Sequence, residues 1–497
     1  MYRYVKKLEA SVTMRDITVF NTMTRSKELF KPVHEGEAKI YVCGVTPYNH
    51  PHIGNARPFV TWDVIRRYLT HVGYKVTLVQ NFTDIDDKII NTSNGEGVAW
   101  SVIANRYIDS YFDVMDALHV KRADIYPRVS EHMEDIITMI KSLIDNGYAY
   151  ELDGDVYYSV EKFENYGNLS GRTLEDMQAG ARIDVDDRKH NPMDFALWKS
   201  AKPGEPSWTS PWGEGRPGWH IECSAMSKKY LGEEFDFHGG GSDLIFPHHE
   251  NEIAQSEGCS HHHPSVRYWL HNGFITINQE KMSKSLNNFF LVKDILEQYT
   301  PDVLRYFLLS THYRSPLDFS DERLDEAIKS LERFTTAIEN VLYLESCPEG
   351  PCAEEAATLL DKAKDYKEEF EKAMCDDFNT ALASSSMFGL AKEINIYYQI
   401  VQSSNGTVCK ETLATVKEIF KFMTDIIGIL SSAWKGSENS GSAKEYDELM
   451  NVILHIRQTC REKNQWELAD TIRDSLSDIG ITIEDSPQGA RWKKREI

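Results

Sequence analysis

Apolar and polar positions alternate along the first quarter of the chain as strand, helix and strand. Ile40 to Val42 form an apolar run that ends in Cys43, Gly44, Thr46 and Pro47, the pattern of a buried strand that stops abruptly. His52-Ile53-Gly54-Asn55 then opens a segment, Ala56 to His71, with apolar residues at helical spacing and Gly73 to close it. Tyr74 to Phe82 is a second strand, which makes a βαβ unit with a parallel sheet and ends in the acidic turn Thr83-Asp84-Ile85-Asp86-Asp87-Lys88. Periodicity predicts helix over 97–147, and Tyr148 to Val160 reads as a hairpin turning at Asp153-Gly154. After a stretch rich in Pro, Gly and Trp, the sheet resumes at Phe235 to Gly241. A helix from Phe246 to Gln255, with Pro247 at its first position and Gly258 past its end, and a strand from Tyr268 to Ile277 follow. Beyond Phe319 the pattern is helical to Leu430, broken only by the loop Cys347 to Cys352. Ser437 to Ala443 has linker composition, and a helical tail over 444–486 ends in the basic stretch Arg491-Trp492-Lys493-Lys494-Arg495.

Composition narrows the classes. A chain of 497 residues, 41% hydrophobic, has room for two to four domains. Its formal charge is −22, with 55 Lys and Arg against 77 Asp and Glu, so any RNA must be held by local basic patches. Eight thinly spread cysteines with no CxxC pair suggest reduced thiols in a cytosolic setting, some free to serve as metal ligands. No apolar run approaches the roughly 18–20 residues of a membrane span, and the N-terminus lacks a signal core. The expectation is therefore a soluble, cytoplasmic protein with no membrane partner. Residues 1–13 are mildly basic and precede a second methionine, Met14.

A strand-to-helix turn at the carboxyl edge of a parallel sheet is a phosphate site, because backbone N–H groups and the positive helix end face the ligand. His52 and Gly54 fit that role. Lys281 and Lys284, three residues apart in Lys281-Met282-Ser283-Lys284-Ser285, can straddle a triphosphate and follow the charge on departing pyrophosphate. Together the two stretches resemble the HIGH and KMSKS motifs of class I aminoacyl-tRNA synthetases. His248 and Glu252 stand four apart on one helical face, a spacing that suits two zinc ligands, while His249 shares a different face with Ile253. Cys43 and Cys223 fall near the same sheet edge, although local spacing does not assign Cys223 to a metal and favours a small buried core thiol.

Five stretches, 41–48, 81–88, 218–224, 246–252 and 281–285, resemble the cysteinyl-tRNA synthetase family. Arg461 to Asp470 and Pro487-Gln488-Gly489 resemble that family's anticodon-binding end, so the likeness runs in order from about residue 15 onward. It implies an α/β fold: a Rossmann-like parallel-sheet catalytic domain in two halves, 16–105 and 216–275, with an inserted connective domain over 106–215. A lysine-loop and stem-contact region, 276–320, a helical bundle, 321–436, and a small anticodon-binding domain, 444–497, complete it, with 1–15 as an N-terminal extension. The implied activity is ATP-dependent activation of L-cysteine and its transfer to the 3′ end of tRNA(Cys), by a monomer.

The resemblance assigns zinc to Cys43, Cys223, His248 and Glu252, and the substrate pocket to Thr46, Trp219, His238 and Asp243, with His220 a further neighbour. Catalysis falls to His52, Asn55, Lys281 and Lys284, and ATP contact, with Mg²⁺, to His52, Gly54, Asn55 and Lys284. Arg461, Trp466 and Asp470 are the implied anticodon contacts. A metal suits a cysteine pocket, since shape alone separates such near-isosteres by only about 1–3 kcal/mol. Zinc binds thiolate strongly and accepts a fifth ligand, whereas a serine hydroxyl stays protonated. No region is large enough to be an obvious editing domain.

Asn55 stands where the motif has its second His, which keeps a hydrogen-bond donor but no titratable charge. His261-His262-His263-Pro264 reads as a polar loop. Thr92 replaces the Arg of the family's Lys-Ile-Ile-x-Arg persulfide pattern, so that activity is not expected. A cysteine ligase acting on a small amine would share the core but lack the C-terminal end, and a non-catalytic tRNA-binding paralogue would have lost the metal ligands or the lysines.

Overall fold

The computed structural model describes residues 15–173, 188–260, 263–277, 280–281, 289–404, 406–435, 441–486 and 489–494. By contacts the chain divides into two compact units. The first takes the chain up to Glu297 together with Leu308–Ser320 and Ala373–Thr380.

A hairpin, β1 (Thr18–Asn21) and β2 (Ser26–Leu29), leads into β3 (Glu37–Val45), α1 (Ile53–His71) and β4 (Lys75–Phe82). Three helices follow: α2 (Asp87–Glu96), α3 (Trp100–Ala117) and α4 (Met133–Asp145). Periodicity ran α3 and α4 together across 97–147, yet the chain turns at Leu118 and lays Ile125 and Arg128 beside Val79 and Phe82. Next comes an antiparallel sheet of order β5-β6-β7-β9-β8, from β5 (Ala149–Leu152), β6 (Asp155–Tyr158), β7 (Phe195–Ser200), β8 (Trp208–Ser210) and β9 (Gly213–Pro217). The hairpin at Asp153-Gly154 is as expected: both residues take positive φ, at 51° and 86°.

α5 (Trp219–Leu231), β10 (Phe235–Gly241), α6 (Glu250–Ser260) and β11 (Val266–Asn272) then return to the parallel sheet, whose order is β11-β10-β3-β4. These strands are buried along most of their length, the run of apolar residues that a sheet covered on both faces requires. The expected strand from Tyr268 to Ile277 is two. β11 ends at Asn272, and β12 (Ile275–Ile277) joins β13 (Glu280–Lys281) and β14 (Leu317–Asp318) in a separate sheet. Gly258 also differs from expectation, since it lies inside α6. A Cβ there would stand 3.1 Å from the Tyr158 hydroxyl and 3.2 Å from the Tyr148 ring, so the glycine serves close packing.

The second unit contains α7 (Pro301–Leu309) through Phe307, all of α8 (Asp321–Ser346), most of α9 (Glu354–Cys375) and α10 (Thr380–Ser403), and α11 (Lys410–Ile427). Arg305 is fully buried there and donates through Nε to the Ile427 carbonyl at 2.8 Å. The expectation of reduced thiols fails at one pair, because Cys352 and Cys409 are disulfide-bonded across a separation of 57 residues. Backbone bonds between Gly350 N and Val408 O (2.9 Å) and between Val408 N and Pro348 O (3.0 Å) bring the two loops together, a contact that sequence spacing does not reveal. The tail is not wholly helical either. After α12 (Gly441–Glu462) and α13 (Trp466–Asp478) it ends in a hairpin, β15 (Ile481–Ser486) and β16 (Gly489–Lys494). Trp492, counted with the basic stretch, packs on Met450, Leu476 and Ile481.

One glycine fixes the sheet beside the site. A Cβ on Gly44 would lie 1.5 Å from the Asn81 carbonyl oxygen, and the Gly44 N–H donates to Asn81 Oδ1 at 2.9 Å. Gly44→Ala must therefore force β3 and β4 apart. We expect a loss of about 3 kcal/mol or more in urea unfolding; a change below about 1 kcal/mol would show that the strands part freely.

Candidate metal and substrate site

Cys43 sits near the carboxyl end of β3, and α5 presents Cys223 one turn after Trp219. His248 and Glu252 flank the start of α6. The four side chains are buried, and one donor atom from each lies within 4.8 Å of the others. Cys43 Sγ is 3.9 Å from Cys223 Sγ and 3.5 Å from Glu252 Oε1, and His248 Nε2 is 2.9 Å from Glu252 Oε1. The structure thus brings together the ligands expected from sequence.

Two further imidazoles face the same sulfur. His238 Nε2, on β10, stands 3.4 Å from Cys43 Sγ and 3.6 Å from Glu252, and His249 Nε2 stands 3.3 Å from Cys43 Sγ. Cys43, His238, His249 and Glu252 form a second overlapping tetrad. Sequence reasoning gave His249 a different face, on the assumption of a regular helix. Residues 245–249 instead form a wider π-type turn, with Phe246 extended at φ −138° and ψ 131°, so both consecutive histidines reach the pocket. The usable signal was the pair itself, with Glu252 both three and four residues on.

The remaining residues expected at the pocket divide. The Trp219 ring, 42% exposed, stacks on His248 at 4.3 Å, and His220 Nδ1 is 2.9 Å from His248 Nδ1. Thr46 is half-buried in the turn after β3. Asp243 is exposed in the short turn after β10, and its carboxylate crowds Gly241.

Burial sets the protonation of the metal-free pocket. It pushes the Cys43 thiol and the Glu252 carboxyl well above their ordinary values. It holds the imidazoles of His220, His238 and His249 well below theirs, and that of His271 at about 3. Cys223 goes the other way, because it accepts the Cys43 S–H bond. Burial thus favours the neutral form of each of these groups except Cys223. Two sulfurs, an imidazole and a carboxylate make a donor set that zinc accepts.

The second cluster of expected residues lies at the start of α1. His52 is its N-cap, and its backbone N–H donates to Asn55 Oδ1 at 3.2 Å, which leaves the Asn55 amide group as donor. Gly54 is in the first turn. The segment after the lysines docks on this turn: Ile53 N donates to Phe290 O at 3.1 Å, and Val292 N to Pro51 O at 3.0 Å. Lys281 pairs with Thr276 through the backbone of β13, while Lys284 lies outside the described residues. In the second unit the Arg461 guanidinium lies 5.9 Å from the Trp466 ring centroid, with Trp466 55% exposed, and Asp470 pairs with Arg473 at 2.9 Å.

Residues 29–329 match the family described as tRNA synthetases class I (C) catalytic domain, and 369–431 match the DALR domain. A cysteine–tRNA ligase of Desulforamulus reducens is 55% identical over 96% of this chain and 99% of its own length. The chain belongs to the cysteine–tRNA ligase family. A ligase of the same name from Thermococcus gammatolerans is 49% identical over 97% of this chain and all of its own. Among solved structures, a Mycobacterium tuberculosis methionyl-tRNA synthetase in complex with methionyl-adenylate superposes with a TM-score of 0.60 at 16% identity, over 80% of this chain and 92% of that one. At that identity the likeness shows the class I fold, which the parallel sheet and the helical C-terminal region share.

Members of the family with this pocket should show its burial in their acid stability. Below pH 6.5 the unfolded chain binds protons that His220, His238, His249 and His271 refuse in the fold, so stability falls as pH drops. Glu222 and Glu252, raised by burial, oppose this, because the fold keeps protons that the unfolded carboxylates have lost. Four histidines outweigh two carboxyls between pH 6 and 5. At about 1.4 kcal/mol per proton per pH unit, the chelator-treated protein should lose roughly 2 kcal/mol in urea unfolding across that interval. A flat profile would show that the imidazoles are hydrated.

Proposed function

We propose that this enzyme activates L-cysteine with ATP to cysteinyl-adenylate and transfers it to the 3′ end of tRNA(Cys). The observation that carries the reading is the buried cluster Cys43, Cys223, His248 and Glu252 in a chain of this family. These four side chains would hold zinc, which when bound favours the thiolate of a cysteine ligand over the hydroxyl of serine. The exposed face of Trp219, stacked on His248, forms a wall for the substrate side chain, with Thr46, His238 and Asp243 as further contacts.

The chemistry needs no covalent enzyme intermediate. The substrate carboxylate is ionised at neutral pH and attacks the α-phosphorus of ATP, and pyrophosphate leaves. The chain's part is to position the reactants and to neutralise charge as it moves to the leaving group. His52 and Gly54 at the positive end of α1 meet the phosphates, Asn55 contributes an amide donor, and Lys281 and Lys284 follow the departing pyrophosphate with Mg²⁺. Arg461, Trp466 and Asp470 supply a stacking face and polar contacts for the anticodon. The catalytic halves, 16–105 and 216–275, the insert 106–215 and the C-terminal 444–497 divide these tasks. No helix among the described residues is long and apolar enough to cross a membrane. The enzyme would work as a monomer in the cytoplasm.

The deciding experiment is ATP–pyrophosphate exchange with cysteine, with serine as control and with zinc chelated in parallel. Exchange with cysteine, none with serine and loss on chelation is the expected result. No exchange from a folded, zinc-loaded protein would overturn the reading.

The two ends of the enzyme should separate kinetically. Trp466→Ala should weaken tRNA charging at limiting tRNA by about tenfold, the worth of one base–aromatic stack, and leave exchange unchanged. An equal loss in both assays would place Trp466 in the structural core of its unit.

A further inference from the structure

The structure assigns positioning roles to His271 and Thr22: through His249 they deliver a hydrogen bond to the sulfur of Cys43. This inference rests on the reading of Cys43 as a metal-bound thiolate. Thr22 follows β1 and His271 lies in β11, far from each other and from Cys43 in sequence. Their side chains nonetheless form one continuous chain. Thr22 Oγ1 is 2.8 Å from His271 Nδ1, His271 Nε2 is 2.7 Å from His249 Nδ1, and His249 Nε2 is 3.3 Å from Cys43 Sγ.

Valence fixes the direction of that chain. A metal-bound thiolate only accepts, so His249 Nε2 must carry its proton and donate. A neutral imidazole has one N–H, which leaves His249 Nδ1 a bare acceptor. It takes the proton of His271 Nε2, so His271 Nδ1 is bare in turn, and only a hydroxyl that can donate will satisfy it. Thr22 supplies that hydroxyl. A carboxylate in its place could not, and valine would leave the His271 tautomer unset.

The other groups facing His249 leave this order intact. Glu252 Oε1 is 4.0 Å from Nε2, beyond hydrogen-bond reach, and the His238 and Trp269 rings pack at 4.7 Å and 5.1 Å between centroids. Gly240 makes room, since a Cβ there would stand 3.0 Å from the His249 ring. Donation to sulfur draws charge away from the thiolate, which leaves the metal a stronger acceptor for a substrate sulfur and fixes the Cys43 lone pairs in direction.

The test uses the full chain and two readouts that need no turnover: zinc affinity by chelator competition, and the sulfur-to-cobalt charge-transfer band of the Co²⁺-substituted protein. Outer-sphere partners of this kind are worth about 10–100-fold in metal affinity. His271→Leu should weaken zinc by that factor and move the band to lower energy, because the thiolate regains charge. His271→Gln, whose amide offers a donor and an acceptor, should stay within about threefold of wild type. Thr22→Val should fall between, and Thr22→Ser should match wild type. Zinc affinity and band unchanged in both His271→Leu and Thr22→Val would overturn the inference. Failure of the wild-type protein to bind zinc would instead overturn the metal reading under it.

Discussion

The constraint on which the rest depends is the burial of charge-bearing groups at the carboxyl edge of one parallel sheet. β3 and β10, the neighbouring helices α5 and α6, and the turn before α6 bring two sulfurs and two carboxyls, those of Glu222 and Glu252, out of water, with the imidazoles of His238, His248 and His249. An apolar interior tolerates such groups only if they are neutral, hydrogen-bonded or paired with a cation. The pocket uses the first two. Glu222 accepts from the Thr83 hydroxyl at 3.1 Å, His220 lies against His248, and the Cys43 thiol donates to Cys223 at 3.9 Å. A site organised in this way meets its desolvation cost in the fold, so its dipoles are already oriented.

Close backbone approaches hold these groups in place. Gly44 lets β3 lie against the Asn81 carbonyl, and Gly239 admits the Trp62 indole, where a Cβ would stand 2.0 Å from the ring. Glu250 works from the other side of the helix that carries Glu252. Its buried carboxylate accepts the N–H groups of Gly167 at 3.0 Å, Leu169 at 3.3 Å and Ser170 at 2.8 Å, which ties that stretch of chain to α6. The antiparallel sheet and the parallel sheet share one hydrophobic core, which runs from Tyr41 and Val79 through Val156 and Trp198 to Trp269. Displacing the antiparallel sheet would therefore disturb α6 as well.

Much of this was legible in the chain. The parallel unit from Ile40 to Phe82 follows from apolar runs and a capped helix, and Cys43, Cys223, His248 and Glu252 came from motif resemblance. Local spacing could join only His248 to Glu252. What the sequence hid was long-range or irregular. His249 was misplaced because a wide turn replaced the first turn of a regular helix. His271 reads as one more residue of a buried strand until β11 is set beside β10. The Cys352–Cys409 bond depends on two loops meeting, and Trp492 looked like part of a basic tail until β16 turned it inward. Patterns of period two and 3.6 report which face is buried, and they do not report what lies opposite.

Arg57 shows how the cluster around Cys43 and the start of α1 share one frame. It lies five residues into the helix that His52 caps, is 1% exposed, and burial lowers its guanidinium only to about 10, so it stays charged at neutral pH. It donates to the Gly273 carbonyl at 2.8 Å, to Phe274 O at 3.2 Å, to Thr311 Oγ1 at 3.2 Å and to His312 O at 3.3 Å. Gly273 and Phe274 follow β11, two residues beyond His271, and they lead into β12, the strand that pairs with Lys281. A cation surrounded by carbonyl dipoles is stiffer than an ion pair at the surface, since breaking any one bond strands a buried charge. One side chain thus fixes α1, the end of the strand bearing His271 and the start of β12 relative to each other. The separation between Cys43 and His52 is set by that frame, not by either local segment alone.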